Sequence, residues 1–237
     1  MSQRLKELAA RRAVEFVTDG MVVGLGSGST AELAIRALGA RARDGLRLTC
    51  VPTSESSDRL GREVGLTIAS LEQHAVVDLT IDGADEVDGN LDLIKGLGGA
   101  LLREKIVASC TACEVIIVDG SKVVKRLGTR GPLPVEIVPF GLPAVARRLS
   151  ALASRVELRC DAAGQPFVTD NGNYILHCTF ETGIVDAAAL ERRIDEIPGV
   201  LESGLFVGLT HRVVVACQDG TCQVLERAWP PSPASTR

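Results

Sequence analysis

Strand-length apolar runs alternate with amphipathic helical stretches through the first 120 residues, and this alternation restricts the fold most. Residues 21–25 read as a buried strand, Gly24-Leu25-Gly26-Ser27-Gly28-Ser29-Thr30 follows, and AELAIRAL then opens a helix. Further strands are expected at 46–51, 66–69, 76–81 and 114–118. Helices are expected at 2–18, 54–64 and 100–109, the second from a Ser/Thr cap region. Strands that alternate with helices close into a mostly parallel, doubly wound sheet with helices on both faces.

The pattern changes near Gly131. Pro132, Pro134 and Pro139 punctuate Val135-Glu136-Ile137-Val138. A helix is expected over 142–152, strands over 155–159, 166–169 and 173–180 with Asn171-Gly172 as a turn, a helix over 187–197 and a strand over 200–206. This β-α-β-β-α-β order describes a small ferredoxin-like α+β lobe. The segments 212–217 and 223–226 read as a final hairpin returning to the main sheet. The expected division is therefore 1–130 plus 207–228 as a Rossmann-like catalytic domain, 131–206 as the ferredoxin-like lobe and 229–237 as a frayed tail.

Composition excludes several classes. With 46% hydrophobic and 24% charged residues, the 237-residue chain is too apolar for disorder and large enough for a substantial core. Its formal net charge of −4 argues against a nucleic-acid partner. The charged, helical N-terminus lacks the apolar stretch of a secretory signal, and no run approaches a membrane span, so a cytoplasmic location is expected. Seven cysteines, mostly inside apolar runs, suit buried thiols in a reducing compartment. Cys110 and Cys113 form a C-x-x-C, but its neighbours lack the setting of a redox pair, and Cys217 and Cys222 are too loosely spaced to complete a zinc site.

The chemistry concentrates in two stretches. The glycine loop before a helix offers backbone N–H groups and a positive dipole end to an anion. It lacks the Gly-Lys-[Ser/Thr] ending of a P-loop, and Ser29 stands where a dinucleotide fingerprint needs glycine. The hydroxyls of Ser27, Ser29 and Thr30 suit a phosphate monoester; a bare capped turn fits these residues equally well. The second stretch, IDGADEVDGNLDLIKGLGGALLREK over 81–105, sets three acids (Asp82, Asp85, Glu86) beside Lys95, a glycine cluster and the triplet Arg103-Glu104-Lys105. Ala84 spoils the spacing of a calcium loop. Asp82 falls at the carboxyl end of an expected parallel strand, where open α/β sheets place ligands. On spacing alone the triplet reads as a solvated helix face, and Lys122, in DGSK after the strand 114–118, as a surface lysine. The histidines at 74, 177 and 211 are isolated from one another, and no nucleophile–histidine arrangement emerges.

Taken in order, GLGSGST, DGADEVD, KGLGGALLREK, DGSK, PLPVEIVP and VTDNGNYIL resemble the A type of ribose-5-phosphate isomerase, over nearly the whole chain to about residue 226. The resemblance implies a Rossmann-like sheet with a ferredoxin-like lobe. It implies a cofactor-independent interconversion of ribose 5-phosphate and ribulose 5-phosphate through an enediolate, in the pentose phosphate pathway. By position it assigns the proton-transfer base to Glu104, charge stabilisation to Lys95 and hydroxyl binding to Asp82 and Asp85, one of which would assist ring opening. Substrate contacts fall on Ser27, Gly28, Ser29, Thr30, Asp82, Gly83, Ala84, Asp85, Lys95, Gly96, Leu97, Gly98, Lys122 and Lys6. No metal or cofactor is implied, the partner is a small sugar phosphate, and a homodimer or homotetramer is expected. Ser27 stands where the family commonly has threonine. Leu97 stands where glycine is common, so a positive φ at that position would strain it. An amino-sugar phosphate deaminase would need a histidine that the 82–104 region lacks. A binding-only sensor would be expected to lose the base or to add a DNA-binding helix pair. A nicotinamide dehydrogenase fails at Ser29.

Overall fold

The computed structural model describes residues 3–227. The chain runs α1 (Gln3–Val14), β1 (Val22–Leu25), α2 (Ala31–Arg43), β2 (Thr49–Pro52), α3 (Glu55–Glu63), β3 (Thr67–Ile68), β4 (Leu79–Gly83), β5 (Glu86–Val87), β6 (Leu93–Ile94), α4 (Leu101–Ser109) and β7 (Glu114–Asp119). It continues β8 (Leu133–Ile137), α5 (Leu142–Leu149), β9 (Arg155–Leu158), β10 (Tyr174–Thr179), α6 (Ala187–Asp195), β11 (Val200–Ser203), β12 (Leu205–Phe206), β13 (Arg212–Ala216) and β14 (Cys222–Glu226).

The main sheet has seven strands in the order β14-β13-β7-β4-β1-β2-β3. Every neighbouring pair is parallel except β13–β14, the expected closing hairpin. The strand order runs outward in opposite directions from the β1–β4 pair, and that switch point is where doubly wound sheets leave a crevice. Val23, Leu25, Ile81, Val115 and Ile117 bury one face under α1 and α2. Ile116, Val118, Val213 and Val215 pack the other face against Ala108 of α4 and Phe206. Near-continuous apolar strands such as Glu114–Asp119, buried throughout, follow from this double coverage.

Four strands in the order β11-β8-β10-β9, all antiparallel, form a second sheet from residues 133–203. With α5 and α6 on its apolar face it has the connectivity of the ferredoxin-like unit. Two details differ from expectation. Residues 166–169 form only a single bridge, Cys160 to Pro166, because β10 already has a partner on each edge. The run 200–206 is two strands in different sheets: β11 joins β8, whereas β12 joins β6 in a small sheet ordered β12-β6-β5. The break falls at Gly204, where a Cβ would lie 2.2 Å from the Lys95 carbonyl oxygen. Gly204 N–H donates to Pro134 O at 2.7 Å and its carbonyl accepts Lys95 N–H at 2.9 Å. This one glycine therefore links β8 of the four-stranded sheet to Lys95, the residue that follows β6 of the small sheet. The segment expected to fray, 229–237, lies outside the described residues. Among the described residues no helix is long and apolar enough to cross a membrane.

Candidate active site

A cavity of about 400 Å³ opens at the carboxyl ends of β1, β4 and β7. Its walls are Ser27–Thr30 after β1, Gly83–Asp85 at the end of β4, Lys95, Gly96 and Gly98 around the glycine turn, and Glu104 of α4. Lys122 enters from the turn after β7 and Lys6 from α1. The topology thus gathers residues from Lys6 to Lys122, and of the expected site only Asp82 and Leu97 stand outside the lining.

Asp82 is 1% exposed and serves the protein itself. Its Oδ1 accepts the N–H groups of Ser27 (3.0 Å) and Gly83 (2.7 Å), and its Oδ2 lies 2.9 Å from Lys95 Nζ. The approach of the two loops requires a glycine at position 26, since a Cβ there would come within 2.2 Å of Asp82 Oδ1. Lys95 is 2% exposed; it donates to Gly83 O at 2.6 Å and lies 3.3 Å from Glu104 Oε1. Glu104 Oε2 has no hydrogen-bond partner among the described residues.

Burial, the largest influence, would strip Lys95 of its proton. The charges of Asp82 and Glu104 and the hydrogen bond to Asp82 outweigh it, and the ammonium is held more firmly than an ordinary lysine. For Glu104 burial dominates: it raises the carboxyl to about 8, with Lys95 opposing and Asp82 reinforcing. Glu114, at the start of β7, is 1% exposed and also raised, first by burial and then by Asp82. With Glu104 protonated, Lys95 faces one ion-pair partner, Asp82, in this buried cluster. With Glu104 ionised, the same cation faces two.

The glycine turn resolves the expectation about Leu97. Gly96 and Gly99 take positive φ (101° and 98°), whereas the only non-glycine residue with positive φ among the described residues is Leu91 (59°). Leu97 therefore carries no left-handed strain, and its N–H donates to Asp85 Oδ2 at 3.0 Å. Asp85 is the acid of the DGADE motif that stays on the cavity wall, fixed also by its N–H to Ile94 O at 2.8 Å. Glu86, one residue on, points elsewhere: its carboxylate accepts the N–H groups of Gly128 (2.7 Å), Arg130 (2.7 Å) and Gly131 (3.1 Å) and pins that loop.

At the opposite end Lys6 Nζ donates to Ser29 Oγ at 2.6 Å, beside the N-terminus of α2. Lys6 and the helix dipole make this end electropositive, and Lys122 adds a second cation to the cavity wall. The hydroxyl of Ser27 turns away from it into a hydroxyl cluster, 2.8 Å from Thr53 Oγ1 and 2.7 Å from Ser54 Oγ. Ser54 caps α3 by accepting Ser57 N–H at 3.1 Å. Thr53 and Ser54 were not among the expected site residues; the hydroxyl-rich run Thr53-Ser54-Glu55-Ser56-Ser57 was the available signal. Elsewhere burial pushes the thiols of Cys50 and Cys178 up to about 12, which leaves them unreactive.

Residues 49–220 match the family described as ribose 5-phosphate isomerase A (phosphoriboisomerase A). Ribose-5-phosphate isomerase A of Gloeobacter violaceus is 56% identical over 217 residues, covering 91% of this chain and 94% of that protein. The enzyme of the same name from Roseiflexus castenholzii is 51% identical over 218 residues, covering 91% and 93%. Among solved structures, ribose 5-phosphate isomerase A of Methanocaldococcus jannaschii superposes with a TM-score of 0.90 at 39% identity, over 95% of this chain and 100% of that one. A D-ribose-5-phosphate isomerase in complex with phospho-erythronic acid gives a TM-score of 0.92 at 38% identity, over 96% and 100%.

Proposed function

The chain belongs to the ribose 5-phosphate isomerase A family, and from that premise we propose how its cavity interconverts ribose 5-phosphate and ribulose 5-phosphate. The observation that carries the reading is the buried Lys95–Glu104 pair, 3.3 Å apart on the cavity wall. An aldose–ketose isomerisation needs one group that removes and returns a proton and a positive charge beside the oxygen that becomes anionic. Glu104 takes the proton from C2 of the open-chain sugar, and the carbonyl oxygen on C1 becomes the oxyanion of an enediolate, facing Lys95. Return of the proton to C1, with transfer of the O2 proton to O1, yields the ketose.

Ser29, Thr30, Lys6 and Lys122 hold the phosphate, so that binding energy far from the reacting carbons positions them. Ser27 shapes that loop through Thr53 and Ser54. Asp85 accepts a sugar hydroxyl and assists ring opening, while Asp82 acts through Lys95. The backbone of Gly83–Ala84 and Gly96–Gly98 supplies the close walls, and Leu97 contributes its N–H to Asp85. A relative solved with phospho-erythronic acid supports a sugar-phosphate ligand, since that molecule carries a phosphate on a short polyhydroxy chain and a carboxylate that resembles the charged enediolate. The reaction belongs to the non-oxidative branch of the pentose phosphate pathway, and we infer a cytoplasmic location and catalysis without a cofactor.

Adding ribose 5-phosphate to protein purified in the presence of a chelator should give ketopentose at full rate. A rate that collapses in chelator and returns with a metal ion would refute cofactor independence; no ketopentose under either condition would refute the activity. A homodimer or homotetramer is also proposed. It is supported by exposed apolar side chains on the second sheet: Leu201 on its edge strand β11, and Val138 and Phe140 (97% exposed) in the segment that follows β8. Light scattering should return at least twice the 25.0 kDa chain mass.

A further inference from the structure

Arg103, Glu104 and Lys105 are consecutive on α4, yet only Glu104 lines the cavity. Lys105 is 9% exposed. Its Nζ lies 2.9 Å from Glu191 Oε1 on α6 and 2.6 Å from Glu202 Oε1 on β11. The same ammonium stands 5.2 Å from the ring centroid of Phe206, and Lys95 Nζ stands 5.4 Å from that centroid. Phe206 is fully buried, and its strand β12 pairs with β6, which leads directly into Lys95. An aromatic ring attracts a nearby ammonium, and most strongly where water is excluded. A buried ammonium also needs carboxylate partners. Lys95 finds them in Asp82 and Glu104, whereas Lys105 finds them in the four-stranded lobe.

We propose that Lys105 and Phe206 are positioning residues for the isomerisation: anchored by Glu191 and Glu202, they hold α4 and Lys95 in register so that Lys95 meets Glu104 at 3.3 Å. The proposal rests on Glu104 as the base. Neither residue lines the cavity, so both act through the Lys95–Glu104 pair. The groups that face Glu104 are Lys95 after β6, Asp82 at the end of β4, Asp85 in the loop beyond it and Glu114 at the start of β7. Around Lys105 they are Glu191 and Asp195 of α6 and Glu202 of β11. Lys95 is the group that favours the Glu104 carboxylate; the acids oppose it. If Lys95 drifts, Glu104 keeps its proton to higher pH, and the acid limb of kcat/KM moves upward.

The test compares Phe206→Leu, Lys105→Met, Lys105→Arg and Glu191→Gln in full-length protein, with kcat, KM for ribose 5-phosphate and the pH profile of kcat/KM as readouts. Phe206→Leu removes no charge. It should lower kcat by about tenfold or more, with KM within about threefold, and raise the acid limb by about half a pH unit or more. Lys105→Met should do the same more strongly, and Lys105→Arg should recover part of both effects. If Lys105→Met fails to fold, Phe206→Leu and Glu191→Gln decide. An unmoved acid limb in Phe206→Leu, with kcat falling only as far as the folded fraction falls, overturns the positioning role. Full activity in Glu104→Gln would instead refute the base assignment, so the two failures are distinguishable.

Discussion

Replacing Glu104 with glutamine should abolish most of the activity and stabilise the protein, and the stabilisation should grow with pH. Burial raises the Glu104 carboxyl from an ordinary value near 4.5 to about 8. The folded protein therefore holds a proton that the unfolded chain releases over the interval between those values. Where the folded state binds more protons, stability falls as pH rises. The contribution is fully present below about 4.5 and lost by the time the pH passes about 8. Each tenfold difference in proton affinity is worth about 1.4 kcal/mol, so the loss is bounded at about 5 kcal/mol. Local rearrangement of Lys95 reduces it, and about 2–4 kcal/mol is the expected reading. Glutamine keeps the shape and has no proton to lose. Urea unfolding of both proteins at pH 5, 7 and 9 should show the variant gaining on the wild type at each step. Its kcat should fall by about 10²–10⁴. A stability difference that is flat from pH 5 to 9 would refute the shifted proton. Retention of more than about a tenth of kcat would refute the base.

Two further outcomes follow from the cavity walls. Ser29→Ala combined with Thr30→Ala should raise KM for ribose 5-phosphate by about tenfold or more, while turnover of unphosphorylated ribose, however slow, stays unchanged; equal losses on both would count against a phosphate loop. Leu97→Gly should lower stability by roughly 0.5–1 kcal/mol in a denaturant titration, because Leu97 already has an ordinary backbone conformation and glycine only adds freedom to the unfolded chain; a gain in stability would mean that position 97 is strained after all.

The sequence carried the outline of this site because its parts are local. A glycine loop between a strand and a helix, and an acid at the end of a parallel strand, can be read from a few neighbouring residues. The fates of individual acids could not be read in this way. Asp82, Asp85 and Glu86 lie within five positions, yet one holds Lys95, one faces the cavity and one pins the 128–131 loop. Those assignments depend on Lys95, Leu97 and the backbone of Gly128, all placed by other elements.

Remote contacts also decide the fate of the triplet on α4. Consecutive helical residues point about 100° apart, so Arg103, Glu104 and Lys105 cannot share one solvated face. What each side chain meets is decided by contacts remote in sequence. Arg103 reaches Asn171 at 2.9 Å, and Lys105 reaches Glu191 and Glu202, 86 and 97 positions away. Both flanking cations thus bind elements of the lobe while the carboxylate between them turns toward the cavity. A charged triplet on a helix is ordinarily solvated because burying charge is costly. Here the partners that offset the cost come from the four-stranded sheet and its helix, so that lobe, which contributes no residue to the cavity lining, aims the residue proposed to move the proton.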